Sequence, residues 1–206
     1  MTDISPEQVA RAAERGLQRL IDGNERFMHG RAHFPTVCKE TLAELARAQH
    51  PYATILGCSD SRVPPELIFD AGFGELFIIR VAGNVVSPEI MGTLQYAGVH
   101  LKTPLFVVLG HEGCGAVTAA LAAAAGRAQE PERITLLLDN IVPGLRGAPR
   151  TASAGDELHA AVEANVRWSM QQILETPEAS VRAKEGTMKL VGAVYELETG
   201  RVRFLT

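Results

Sequence analysis

Cysteine is scarce in this chain, with three in 206 residues. The number is odd, and the N-terminal stretch is charged and amphipathic, with no apolar h-region and no small-residue cleavage site. Both features argue against the disulfide framework of an exported protein and for metal or thiol chemistry in a cytoplasmic one. An excess of positive charge is missing too: the formal net charge is −4 and the pI about 5.9. No nucleic-acid or anionic-membrane footprint is therefore expected. No run reaches the roughly 18 consecutive apolar residues that mark a spanning helix. Complete phosphate-loop patterns are absent as well, since "GFG" at 72–74 and "GCG" at 113–115 are only fragments of one. What remains is a protein whose partner is a small molecule.

With 46% hydrophobic and 21% charged residues, the chain has apolar surface for one well-buried domain spanning residues 1–206. Ser5, Pro6 and Gln8 form a capping-box start. Val9, Ala13, Leu17, Leu20, Ile21 and Phe27 then keep helical spacing, and a second helix is expected at 40–48. Four unbroken apolar runs follow, at 52–57, 76–82, 105–110 and 190–197. Apolar runs without alternation are strands covered on both faces. Helical patterns at 87–101, 115–126 and 155–177 separate them, the alternation of an α/β fold with a parallel sheet. The last run meets "RVRFL" across "ETG", which predicts an antiparallel edge strand at the C-terminus. The expected architecture is a single α/β domain: about four parallel strands, an antiparallel edge, flanking helices and an N-terminal helical arm. The Gly-, Pro- and Ser-interrupted segment 126–156 is read as a surface excursion.

Cys58 directly follows the first apolar run and His111 the third. Open α/β sheets bind ligands beyond the carboxyl ends of their strands, where strand order reverses. Cys114 lies three residues beyond His111, so one loop offers an imidazole and a thiolate to the same ion. It also precedes a helix, whose dipole favours the thiolate. Two thiolates and an imidazole select Zn2+ over the oxygen-seeking Mg2+ and Ca2+, and three protein ligands mark a catalytic site with an open position. Asp60 sits two residues from Cys58, close enough to be a fourth ligand in a closed state. Arg62, two residues further, is placed to hold that carboxylate off the metal in a bidentate pair. Cys38 is read as an incidental thiol, and His33, His50, His100 and His159 as structural or surface residues, with His50 of interest because it precedes the Cys58 strand.

The pair "CSDSR" (58–62) and "HEGCG" (111–115) resembles the signature of the β-class carbonic anhydrases, and the similarity extends over 64–86, 92–117 and 190–202. The resemblance implies reversible hydration of carbon dioxide to bicarbonate and a proton by zinc-hydroxide attack. The fold it implies forms a homodimer or homotetramer, with the arm at 1–50 packing on a partner subunit. It implies Cys58, His111 and Cys114 as zinc ligands and an Asp60/Arg62 dyad that orients the nucleophile. It also implies a substrate side of Gln49, contributed across a dimer interface, with Phe77, Ala82 and Tyr96 as the apolar wall and the Gly115 backbone N–H. Because two thiolates offset the charge of Zn2+, activity is expected to rise toward alkaline pH. Some relatives bind inhibitory bicarbonate through Trp, Arg and Tyr; Arg80 and Tyr195 match, but Ile55 replaces the Trp. Val81 and Gly83 alter the pocket floor, which opens the alternative of a CS2 or carbonyl sulfide hydrolase. A thiol phosphatase built on Cys58 and Arg62 is disfavoured, because only three residues separate them. A non-catalytic zinc-binding module would need Asp60 as a permanent fourth ligand.

Overall fold

The structure, a computed structural model, describes residues 5–34, 37–146 and 153–205. Its centre is a sheet of strands β1 (Ala53–Gly57), β2 (Leu76–Arg80), β3 (Leu105–His111), β4 (Lys189–Tyr195) and β5 (Val202–Leu205), in the order β2-β1-β3-β4-β5. The first four run parallel and β5 is antiparallel to β4, as the apolar runs and the "ETG" turn predict. Every residue of β1 and β3 is buried, whereas β2, at the edge, is mostly half-buried. The unbroken apolar runs of β1 and β3 thus mark fully buried strands, whereas that of β2 forms an edge covered on one side only.

Helix α1 (Pro6–Met28) opens with the predicted capping box between Ser5 and Gln8. Ala13, Gly16, Leu20, Gly23 and Asn24 form its buried face. Asn24 then ties the helix to distant backbone: its Nδ2 donates to Ile68 O and Gly200 O, and its Oδ1 accepts from Val202 N. Helix α2 (Lys39–Leu45) buries none of its residues. The short α3 (Pro65–Ile68) follows the first loop, and α4 (Pro88–Val99) leads from β2 toward β3.

Helix α5 (Gly115–Ala124) starts at the end of β3, followed by α6 (Glu132–Leu138) and α7 (Val142–Leu145). The segment expected to be a surface excursion is therefore partly helical. Leu138 and Ile141 are buried in the core, and Asn140 O accepts from Trp168 Nε1. Its residues 147–152 lie outside the described ones. The long helix expected at 155–177 is α8 (Ala154–Leu174), and a further helix not expected from the sequence, α9 (Pro177–Lys184), follows it, because Pro177 cannot continue the hydrogen-bond ladder and Thr176 caps the new start. Helix α8 lies against β3 and β4 at two glycines. A Cβ at Gly110 would stand 2.6 Å from Val166 Cγ2, and one at Gly192 would stand 2.7 Å from Met170 Sδ.

Candidate metal centre and active site

Two loops meet at the carboxyl edge of the sheet. β1 ends at Gly57 and delivers Cys58. β3 ends on His111 itself, one element position earlier than a residue following the strand, and the turn Glu112–Gly113 brings Cys114 to the start of α5. Neighbouring register sets Gly57 opposite Leu109, so the two strand ends arrive side by side. Strand order reverses here, β2 lying on one side of β1 and β3 on the other, where open α/β sheets form their binding crevice.

The ligand atoms of Cys58, His111 and Cys114 lie within 4.8 Å of one another, and all three residues are buried. His111 Nδ1 donates to Glu112 O at 2.8 Å, which leaves Nε2 bare, buried and without a hydrogen-bond partner. Such an orphaned nitrogen costs free energy unless something takes up its lone pair. Cys58 Sγ accepts from the backbone N–H of Asp60 and of Gly83, both at 3.4 Å. A hydrogen bond from the Cys114 thiol, with help from His111 and these two amides, pulls the Cys58 pKa far down against the effect of burial. Cys114 is pushed up because it keeps the proton it shares with Cys58 and is itself buried. A cation held by both sulfurs would take the place of the proton between them. A bare imidazole nitrogen and two sulfurs in a buried cluster fit zinc and do not fit a hard cation.

Asp60 stands at the rim of this group. Arg62 donates to Asp60 Oδ1 from its backbone N and Nε, each at 2.9 Å, and to Oδ2 from Nη2 at 2.7 Å. This fork, with His111 nearby, holds the Asp60 carboxyl well below the usual carboxylate range. Oδ2 lies 3.9 Å from His111 Nε2, so the carboxylate faces the ligand group while its bonds go to Arg62. Arg62 Nη2 also reaches Gly113 O at 3.5 Å, linking the two loops. Arg80 holds the first loop from behind, donating to Cys58 O at 2.8 Å and to Asp60 O.

The substrate-side residues fall into two groups. Ala82 precedes Gly83, whose amide reaches Cys58, and Gly115 directly follows Cys114, so both border the centre. Phe77 lies opposite Thr54 in β1, four residues before Cys58, about 13 Å back along the strand. Its ring stacks on Tyr96 at 6.2 Å, with Tyr96 47% exposed. Gln49 is exposed ahead of β1, at the same amino end. Within one chain, Gln49, Phe77 and Tyr96 are thus not brought to Cys58.

Two neighbours of the centre take roles that sequence reasoning does not assign them. Arg80 positions the Cys58 loop, and His159, read as structural or surface, faces Glu112 next to a ligand, with Nδ1 3.6 Å from Glu112 Oε1. Arg80 is thereby committed to backbone carbonyls. Tyr195 lies on β4, with β1 and β3 between it and Arg80, and Ile55 is wholly buried in β1. His50 lines a cleft with Arg19, Arg47 and Tyr52, away from the metal ligands.

A family model described as carbonic anhydrase matches residues 53–202, which contain every ligand and both dyad residues. In fold, the chain resembles the β-carbonic anhydrase CcaA with a TM-score of 0.74 and 28% identity, over 91% of this chain and 86% of that one. The chain belongs to the β-class carbonic anhydrases. Among curated members, a carbonic anhydrase of Mycolicibacterium smegmatis is 39% identical over 184 residues, covering 89% of this chain and 88% of the relative. Carbonic anhydrase 2 of Mycobacterium tuberculosis is 38% identical over 184 residues, covering 88% and 87%. The enzymes of this class use zinc, and the buried Cys58, His111 and Cys114 group, with its orphaned His111 nitrogen, could hold that ion.

Proposed function

We propose that this enzyme interconverts carbon dioxide and water with bicarbonate and a proton, using zinc held by Cys58, His111 and Cys114. The observation that carries the reading is the Asp60/Arg62 fork set 3.9 Å from the one unpartnered nitrogen of a three-ligand site. When bound, zinc supplies Lewis acidity that makes water a nucleophile near neutral pH. Asp60, locked as a carboxylate by Arg62, accepts a hydrogen bond at Oδ2 and orients the attacking oxygen toward carbon dioxide. Arg62 spends its donors on both Asp60 oxygens and so keeps the carboxylate from becoming a fourth ligand. Ala82 supplies apolar surface beside Cys58, and the Gly115 N–H, at the start of α5, is placed for a developing bicarbonate oxygen.

The active unit in this reading is at least a homodimer. Gln49, Phe77 and Tyr96 share the amino end of β1 and β2, so they serve the centre of a second copy. The open edge of β2 and the exposed Tyr96 support that arrangement. In the same reading α2, with exposed Leu42 and no buried residue, is the part of the 1–50 arm that packs on the partner. One related fold, 22% identical, comes from tetrameric β-carbonic anhydrases of Sordaria macrospora. No helix among the described residues is long and apolar enough to cross a membrane. We place the protein in the cytoplasm, where reducing conditions keep Cys58 and Cys114 free to bind metal.

The test is stopped-flow carbon dioxide hydration across pH on protein of measured zinc content. One zinc per chain with activity climbing above neutral pH is the expected result. Stoichiometric zinc with no hydration at any pH, but with turnover of CS2 or carbonyl sulfide, would replace this substrate by those.

A further inference from the structure

Glu112 lies between two metal ligands in sequence, and the chemistry above gives its side chain no role. Its backbone N–H donates to Tyr195 O at 3.0 Å, continuing the β3–β4 ladder by one step. Its carboxylate Oε2 accepts from Leu197 N at 3.2 Å, beyond the end of β4. Residue 112 is thus fastened at two points, through its main chain to the end of β4 and through its side chain to the turn that follows. Its carbonyl is the acceptor of the His111 Nδ1–H. The orientation of that one peptide plane therefore decides which imidazole nitrogen carries the proton and where the bare Nε2 points.

The outer oxygen of the same carboxylate is braced from α8. His159 Nδ1 stands 3.6 Å from Glu112 Oε1, and its Nε2 stands 3.4 Å from Glu163 Oε1 and 3.0 Å from Arg203 Nη2. Arg203 in turn pairs with Glu163 and approaches Glu196 Oε1 at 4.0 Å. The chain of contacts runs from α8 and β5, through one carboxylate, to a carbonyl that touches a metal ligand. On its other flank the loop is held by Arg62, which reaches Gly113 O. Gly113 itself has φ +62°, so the turn takes a left-handed conformation that needs fixing by its neighbours.

Resting on the reading of Cys58, His111 and Cys114 as a zinc site, we infer that Glu112 is a positioning residue. Its carboxylate, braced by His159, clamps residue 112 to the end of β4 and the turn after it, fixes the Glu112–Gly113 peptide whose carbonyl holds His111 Nδ1–H, and so presents His111 Nε2 to the metal. Loss of the clamp lets the peptide rotate and the imidazole change tautomer or tilt. Outer-shell partners of metal ligands are worth roughly 10–100-fold in metal affinity, and a loss at the lower end of that range is expected.

The experiment measures zinc affinity by competition with a chromophoric chelator, and the visible spectrum of the cobalt(II)-substituted protein, for wild type, Glu112→Ala, Glu112→Gln and His159→Ala. Glu112→Ala should bind zinc about 10-fold more weakly and shift the cobalt spectrum. Glu112→Gln, whose amide oxygen can still accept from Leu197 N, should restore most of both. His159→Ala should weaken zinc by a smaller factor. A merely structural Glu112 would lower thermal stability with and without metal alike, leaving affinity and spectrum unmoved; that result would overturn the inference. If Glu112→Ala does not fold, His159→Ala decides, since wild-type affinity and spectrum in that variant break the clamp. A wild-type chain that binds no zinc would instead refute the metal reading itself.

Discussion

Asp60 and Asp70 are both carboxylates held by an arginine, and their surroundings give them opposite tasks. Asp60 lies at the edge of the ligand group, with Arg62 on both oxygens, so its charge is available to a reacting molecule. Asp60→Asn should keep the zinc content of wild type while hydration falls by about 10²-fold or more, as read by stopped-flow and metal analysis on the same sample. Near-wild-type turnover would remove Asp60 from the mechanism. Asp70 has a fully buried side chain that accepts from Arg26 Nε at 2.6 Å and from the amides of His33 and Phe34. Burial pushes its pKa up, but Arg26 and the two amides together pull it below the ordinary value. A carboxyl with a depressed folded-state pKa binds fewer protons folded than unfolded. Its contribution to stability is complete above the unfolded value of about 3.9 and is lost as pH falls through the lower folded one. Asp70→Asn should therefore cost about 1–3 kcal/mol near pH 7. In denaturant titrations the gap to wild type should narrow once the pH drops well below 4; a gap independent of pH would contradict the assignment.

At the scale of elements, the sheet and helix α8 position the centre by lying close together. Gly110 precedes the ligand His111, and Gly192 sits on the adjacent strand, both under Val166 of α8. Gly192→Val would push side chain into Val166 Cγ1, 2.9 Å from a Cβ, and into Met170. Overpacking of this kind costs about 1–3 kcal/mol, and the urea midpoint should fall accordingly. A variant as stable as wild type would show that α8 yields without cost. Helix α5 illustrates the reverse relation, in which a helix serves the site rather than the core. Its first turn begins immediately after Cys114, whose pKa Cys58 and burial push up while the amides of Val117 and Ala116 partly oppose them. Helical periodicity located α1, α4, α5 and α8, unbroken apolar runs located β1 to β4, and the "ETG" turn located β5. The break between α8 and α9 turned on a single Pro177 capped by Thr176, and α6 and α7 were hidden by the Gly and Pro that surround them. Their burial comes from Leu138 and Ile141 reaching the core, a tertiary fact with no periodic trace in so short a stretch.

For the whole molecule, the decisive question is whether one chain holds a complete centre. Cys58, Asp60 and Ala82 stand at one end of β1, and Gln49, Phe77 and Tyr96 at the other. If two copies share residues, then Asp60→Asn and Gln49→Ala chains, each inactive alone, should complement on mixing after subunit exchange. Random pairing gives half mixed dimers with one intact centre of two, or about a quarter of wild-type activity. Mixtures no more active than the separate variants would place Gln49 outside the site. Metal removal is the companion measurement: dipicolinate should abolish hydration and stoichiometric zinc should restore it, whereas full activity without zinc would refute the metal reading.

The sequence by itself determined the chemistry and the class of fold. Cys58, His111 and Cys114 are soft-to-borderline ligands at the ends of apolar runs, Asp60 and Arg62 are spaced for a bidentate pair, and four unbroken apolar runs require a buried parallel sheet. These are local matters of side-chain chemistry and period, and local patterns can be read from one chain. Only the tertiary structure decided what depends on residues far apart in sequence. It showed that Arg62 binds both Asp60 oxygens, that Arg80 holds the Cys58 loop, and that His159, Glu112 and Leu197 converge on the peptide beside His111. It also separated Phe77 and Tyr96 from the ligands they accompany in the motif pattern, because strand register assigns residues to opposite ends of a sheet and no linear spacing encodes register.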